Sequence, residues 1–355
     1  MFILDLFITF AVIVSAWATG RLIINTLSMR TESRVINFVL SIGLGVGVLI
    51  YIQMICGFTG SFSTLQGWLT VVCMSILGIL GLVLHKPVFK DQRVSQLLPS
   101  SVLDKLILLG IGILSILYLL VALAPTLDGD SLAGYLLVAR DFAKQGRVFS
   151  VTYAYTNLFP ANGQLIAVLG FSLKGQIVAQ LLTVWVMGVL AALGLYSIGT
   201  KLFTSRISLI GVFIWYSMAS VAVLSASVKV DLAWAAFEII SIMTFSQWYF
   251  TRRNQRDWRW LIITGFFLGV AFGTKHATAF TAIMLAIAVV YRLYSDKNVP
   301  LKTWVVSFSS IIVLALPGLV WVVRSVVIDS SLGFSGLGLA GESGFYGFFI
   351  YVWDM

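Results

Sequence analysis

The first place where this sequence could do chemistry is Asp128-Gly129-Asp130, two carboxylates one residue apart. A carboxylate held at the edge of an apolar medium loses hydration. Its pKa then rises toward neutrality, and it becomes fit to take a proton from a hydroxyl or an amine. Two other readings stand beside that one: Asp130 as the N-cap of a helix starting at Ser131, and Asp-x-Asp as two hard oxygen ligands for a divalent metal. Further on, Asp231 and Glu238 are seven residues apart, which on a helix puts Glu238 on the face of Asp231 about 10 Å deeper. An ionisable group at such depth marks either a functional site or a structural partner on another helix. The cations that would complement these acids are Lys275, in the turn Gly273-Thr274-Lys275-His276, and Arg324, after Pro317. Each either holds a phosphate, Arg324 with paired hydrogen bonds, or simply reaches along a membrane surface to water.

What positions these residues follows from composition. Hydrophobic residues make up 59% of the 355 and charged ones 10%, and the mean hydropathy is +1.00. Such a chain has too little polar surface for water, so the solvent is lipid. Apolar runs long enough to cross about 30 Å of hydrocarbon as helices recur throughout, without the period-two alternation of a barrel. They predict an all-α membrane protein with ten spans, near 2–20, 36–57, 66–85, 103–124, 176–199, 207–227, 231–250, 259–273, 277–294 and 303–323, and an apolar run from Phe345 could start an eleventh. The first run has no positive flank or evident cleavage site and reads as a retained span. Cys56 and Cys73 lie in apolar runs and read as small buried apolar residues. The formal charge of +9 is spread over short loops, which fits topology better than nucleic-acid binding.

With the N-terminus outside, sixteen of the 23 basic residues fall in inner loops. Only Arg140, Lys144, Arg147, Lys174, Lys229, Lys275 and Arg324 fall outside, as the positive-inside rule asks. Asp5, Asp128, Asp130, Asp141, Asp231, Asp329, Glu342 and Asp354 share that outer side. So does the one long connection, residues 125–175, where Leu132, Tyr135, Leu136, Ala139, Phe142 and Ala143 recur at helical spacing. That pattern predicts an interfacial helix ended by Gly146, then an ordered turn from Asn157 to Gln164 and a short apolar segment from Leu165 to Leu173. Residues 1–100 read as a three-span addition, 101–330 as a seven-span core, and 331–355 as an outer segment leading to a possible further span.

In this arrangement the sequence resembles the GT-C superfamily of membrane glycosyltransferases that use polyprenyl-phosphate sugars, and is similar to bacterial protein mannosyltransferases and aminoarabinose transferases. The resemblance rests on the order of several pieces over Lys105 to Asp329. Asp130, Ala139 and Gly146 follow the family's loop spacing, and Pro160-Ala161-Asn162-Gly163-Gln164 is similar to its P-x-N-x-Q turn. Val230-Asp231-Leu232 then opens a span, Gly273-Thr274-Lys275-His276 stands where the family shows G-T-K-Y, and Pro317 to Arg324 where it shows P-W-x-x-R. The chain departs from the pattern at Gly134-Tyr135, in place of Tyr-His, and at Ser325, in place of Asn.

The resemblance implies an inverting transfer on the outer face of a bacterial plasma membrane, with Asp130 as general base and Asp128 beside it. Lys275 and Arg324 would hold the donor phosphate, and Asp231, Glu238, His276, Asn162, Gln164 and Tyr135 would contact sugar or acceptor. The donor would be a polyprenyl-phosphate sugar and the acceptor a glycan, lipid or protein. A phosphomonoester leaving group carries less charge than a pyrophosphate, so no cofactor is required and a divalent metal is optional. Two rival readings stand: a lipid-linked glycan transporter with Glu238 along its path, and a non-catalytic assembly protein that keeps the fold, which the departures favour.

Overall fold

The computed structural model describes residues 2–29, 33–84, 101–154, 156–252, 256–296 and 299–332. Among these residues every regular element is a helix. Lipid offers the backbone no hydrogen-bond partners, so each segment satisfies its own. Helices α1 (Phe2–Thr26), α2 (Arg34–Thr59), α3 (Thr64–Leu84) and α4 (Val102–Ala122) come first, followed by the long connection with α5 (Leu136–Gln145) and α6 (Asn162–Leu173). Then α7 (Gln176–Gln180) runs through a π-helical stretch into α8 (Met187–Leu202). After it come α9 (Ser205–Tyr216), α10 (Ala219–Ala226), α11 (Asp231–Tyr249), α12 (Arg259–Phe272), α13 (Thr278–Ser295) and α14 (Leu301–Ala315). The break expected at Pro317 is a single 3-10 turn leading into α15 (Val320–Leu332).

All ten predicted spans are helical, but among the described residues seven helices are long and apolar enough to cross a membrane, or eight if α9 and α10 form one span bent by 59°. The two others differ for physical reasons. Helix α12 has 14 residues and is only about 20 Å long. Helix α11 carries Asp231, Glu238 and several hydroxyl and amide side chains, which it tolerates because it packs between α8 and α12 inside the bundle. The apolar run from Phe345, together with Glu342 and Asp354, lies outside the described residues.

Helix α1 packs on both α2 and α3, and α2 docks this unit on α6, α8 and α12. Asp5 near the start of α1 pairs with Lys174 after α6 at 2.7 Å, so the beginning of the chain and the long connection share one end of the bundle. At the opposite end Arg206 pairs with Asp104 at 2.8 Å and Arg256 with Asp296. Cys56 and Cys73 are not core residues: Cys73 is exposed, Cys56 is half-buried, and both line an apolar groove of about 370 Å³ between α2 and α3.

The predicted interfacial helix forms. It starts at Gly129, runs through a π-helical turn, Ser131–Tyr135, buries Leu136, Val138, Ala139 and Phe142, and ends at Gly146 with φ 72°, a left-handed conformation that glycine adopts without strain. Leu132, expected on its buried face, is exposed. Asp141, which falls between those apolar positions, is buried and accepts hydrogen bonds from Tyr153 and Arg140.

Candidate active site

The chain leaving α4 is fixed before it reaches Asp128. The Gln180 amide of α7 donates to the carbonyls of Ala122 and Ala124 and accepts from the Thr126 N–H, while Thr126 Oγ1 donates to the Ala226 carbonyl. This two-sided clamp seats the Asp128-Gly129-Asp130 turn against the segment joining α10 to α11. Asp128 then caps the following helix, its Oδ2 accepting from Ser131 N at 2.8 Å and Ser131 Oγ at 2.7 Å. Ser131 Oγ in turn accepts from Val228 N at 2.8 Å. The cap expected at Asp130 is thus supplied by Asp128, two residues earlier. Asp130 makes no capping bond and turns outward, its side chain 58% exposed.

Burial works to raise the pKa of Asp128, but the two Ser131 bonds and the Lys229 charge outweigh it and hold the carboxyl below its ordinary value. This corrects the expectation of a raised pKa for Asp128. A strongly hydrogen-bonded carboxylate is a poor proton acceptor, so Asp128 is built to position rather than to react.

Lys229, which the sequence offered no reason to single out, organises the acids. Its Nζ lies 2.6 Å from Asp130 Oδ2 and 3.7 Å from Asp128 Oδ1. The Asp130 bond chiefly, with charge from Asp128 and Asp231, holds this ammonium above its ordinary pKa. Asp231, at the start of α11, pairs with Lys275 Nζ at 3.0 Å, and that ammonium also lies 5.1 Å from the centroid of Trp234. Trp234 Nε1 donates to Thr278 Oγ1 at 2.8 Å, which ties α11 to the first turn of α13. Asp130 with Lys229 and Asp231 with Lys275 are thus two ion pairs, one tying the long connection to the start of α11 and the other tying that start to the α12–α13 turn, with Lys229 and Asp231 two positions apart in the chain.

Helix α6 supplies the floor. Gly163 lies against both Val230 and Thr274, so closely that a Cβ would collide with Val230. Asn162, fully buried, donates from Nδ2 to the Val270 carbonyl at 3.0 Å and from its backbone N–H to Gly273 O at 2.9 Å. Its Oδ1 accepts from Trp321 Nε1 at 2.7 Å. Its side chain is committed to joining α6, α12 and α15, a different task from the sugar contact expected of it. Gln164, 2% exposed, has no hydrogen-bond partner for either amide atom among the described residues.

Arg324 is placed otherwise than expected. It is buried, at 9% exposure, and donates to the carbonyls of Asn157 at 2.7 Å and Phe149 at 2.8 Å, while Ser325 Oγ donates to the Leu158 carbonyl at 2.6 Å. The guanidinium clasps the segment leading into Asn162 and does not stand open as a phosphate ligand. Tyr135 is half-buried, its ring 6.4 Å from that of Phe159. His276 lies 5.0 Å ring to ring from Phe272, and burial pushes its pKa down to about 4, so it is neutral at pH 7. Glu238 lies two turns below Asp231, and its Oε1 is buried without a hydrogen bond among the described residues. Among those residues no group of three or more His, Cys, Asp or Glu side chains is arranged to hold a metal.

Residues 160–321, just under half of the chain, match the model of the dolichyl-phosphate-mannose-protein mannosyltransferase family. Asn162, Gln164, Lys229, Asp231, Glu238, Lys275 and His276 fall inside the matched stretch, whereas Asp128, Asp130, Tyr135 and Arg324 fall outside it. Comparison with curated proteins and with solved structures found no match. The chain is an all-α membrane protein by its bundle of apolar helices, and the family match over residues 160–321 supports a membrane glycosyltransferase of GT-C type.

Proposed function

We propose that the protein transfers a sugar from a polyprenyl-phosphate donor to an acceptor hydroxyl or amine, with inversion, at the bundle end that carries residues 125–175. Asp130 takes the acceptor's proton as the acceptor atom bonds to the anomeric carbon, and the bond from that carbon to the phosphate oxygen breaks. Lys275 stabilises the charge left on the phosphate, an electrostatic role worth most where water is scarce. Gln164, buried with an unused amide, is the residue of the floor best suited to a sugar hydroxyl. The observation that carries this reading is the two ion pairs Asp130–Lys229 and Asp231–Lys275, whose members Lys229 and Asp231 stand two positions apart in the chain, with a proton acceptor in one pair and a cation suited to phosphate in the other. The excess of basic residues in the loops of the other end supports an outward-facing site in a plasma membrane.

The test is release of polyprenyl phosphate from a polyprenyl-phosphate sugar by the full chain in membranes that supply the acceptor. Asp130→Asn is expected to lower the rate by about 10²–10⁴-fold, the usual contribution of a general base. A variant keeping more than a tenth of the rate would sink the assignment. The buried, unbonded Glu238 oxygen favours one second reading, a lipid-linked glycan transporter; in that case Asp130→Asn leaves transport intact.

A further inference from the structure

Three carboxylates of the site, Asp128, Asp130 and Asp231, share two ammonium groups, Lys229 and Lys275. Asp128 is already satisfied by Ser131, so the pairing to settle is that of Asp130 and Asp231 with the two lysines. As the protein stands, Lys229 takes Asp130 and Lys275 takes Asp231. This arrangement serves neither half of the reaction. A carboxylate in contact with an ammonium is a weakened base, and an ammonium in contact with a carboxylate is a weakened phosphate ligand. Lys229, however, already feels Asp231 through space, from a short segment just two residues away in the chain. The side chains of all four groups are partly exposed, and ion pairs of that kind are individually weak enough to exchange.

We propose that Lys229 is a positioning residue that couples donor binding to release of the base. When the lipid phosphate takes Lys275, Asp231 loses its partner, Lys229 passes to Asp231, and Asp130 is left free to accept a proton. The change balances without any new charged group: phosphate with Lys275, Asp231 with Lys229, Asp128 with Ser131, Asp130 open to the acceptor. The other titratable group of the α12–α13 turn, His276, is neutral at working pH and stays outside the exchange. The donor therefore binds before the acceptor is activated, and an acceptor arriving first meets a base already held by a cation. The inference rests on the assignment of Lys275 to the phosphate and of Asp130 to the proton.

Energetic coupling of this kind is reciprocal and can be measured without turnover, using sugar-free polyprenyl phosphate as the probe and the full chain in lipid nanodiscs. Asp130→Asn frees Lys229 to take Asp231 in advance, so it tightens polyprenyl phosphate binding by about fivefold or more while abolishing transfer. In a Lys229→Met background the same Asp130→Asn change has no effect on binding, because the messenger is gone. Simple removal of a negative charge near the phosphate would instead tighten binding equally in both backgrounds, and that result overturns the proposal. Zero-length carbodiimide coupling read by peptide mass spectrometry gives a second measure. The Lys229–Asp130 and Lys275–Asp231 cross-links fall and a Lys229–Asp231 cross-link rises when polyprenyl phosphate is added. An unchanged cross-link pattern with the probe bound removes the exchange but leaves the transferase reading standing, whereas a protein that does not bind polyprenyl phosphate at all loses both. Lys229→Arg, which keeps a cation on the same segment, restores the coupling that Lys229→Met removes.

Discussion

If Arg324 is a clasp rather than a phosphate ligand, its loss will show in stability before it shows in donor affinity. Arg324→Met keeps much of the side-chain volume but strips the carbonyls of Phe149 and Asn157 of their donor. Each buried acceptor left unsatisfied costs about 1–3 kcal/mol. The desolvation cost of the buried guanidinium disappears with it and offsets part of that loss. A net destabilisation of about 2–3 kcal/mol remains, equivalent to a fall in melting temperature on the order of 5 °C for a chain of this size. Tryptophan fluorescence is a suitable readout, because Trp321 lies under the guanidinium, 5.9 Å from its ring centroid, and unfolding of the detergent-solubilised full chain would report directly on the clasp. The variant should also expose the 149–158 segment to protease. An Arg324→Met protein that melts with the wild type but binds polyprenyl phosphate tenfold more weakly would refute this account and return Arg324 to the phosphate.

Two other outcomes follow from geometry already described. Gly273→Ala drives a methyl group into the Asn162 amide, which Trp321 and Val270 hold in place, so a loss of about 2–3 kcal/mol is expected from overpacking; thermal unfolding checks it. His276, buried with its pKa near 4, binds fewer protons folded than unfolded. Its stabilising contribution is complete above pH 6.5 and declines by at most roughly 3 kcal/mol as pH falls toward 4. The wild type should therefore lose more stability between pH 7 and 4.5 than His276→Gln, as paired melting curves would show.

The elements were legible in the sequence because lipid imposes a simple rule: long apolar stretches must become helices. The spacing of Leu136, Ala139 and Phe142, with Gly146 behind them, likewise gave α5 and its end. Asp130 and Lys275 were singled out from residue type and position, and in the structure each is held in an ion pair, Asp130 with Lys229 and Lys275 with Asp231. What was not legible are the pairings over long separation. Lys229 looks like any outer-loop lysine until the fold brings it to a carboxylate 99 positions away. Arg324 read as an open cation because its two carbonyl partners belong to backbone, which carries no signature in residue type. Asp128 and Asp130 exchanged roles for a smaller reason: the helix starts two residues earlier than the pattern placed it, and the cap moves with the start.

The Asn162 junction has a consequence for the order in which the protein is made. Its amide is satisfied by Val270 of α12 and by Trp321 of α15, segments 108 and 159 residues downstream. During synthesis α6 must therefore wait in the bilayer with a polar side chain unmet until nearly the whole described chain has been inserted, a state that lipid penalises. Closure of that junction is a late event, and a nascent chain halted before Trp321 would carry the mark of its incompleteness at the α6 end of the bundle, where a membrane quality-control protease could read it.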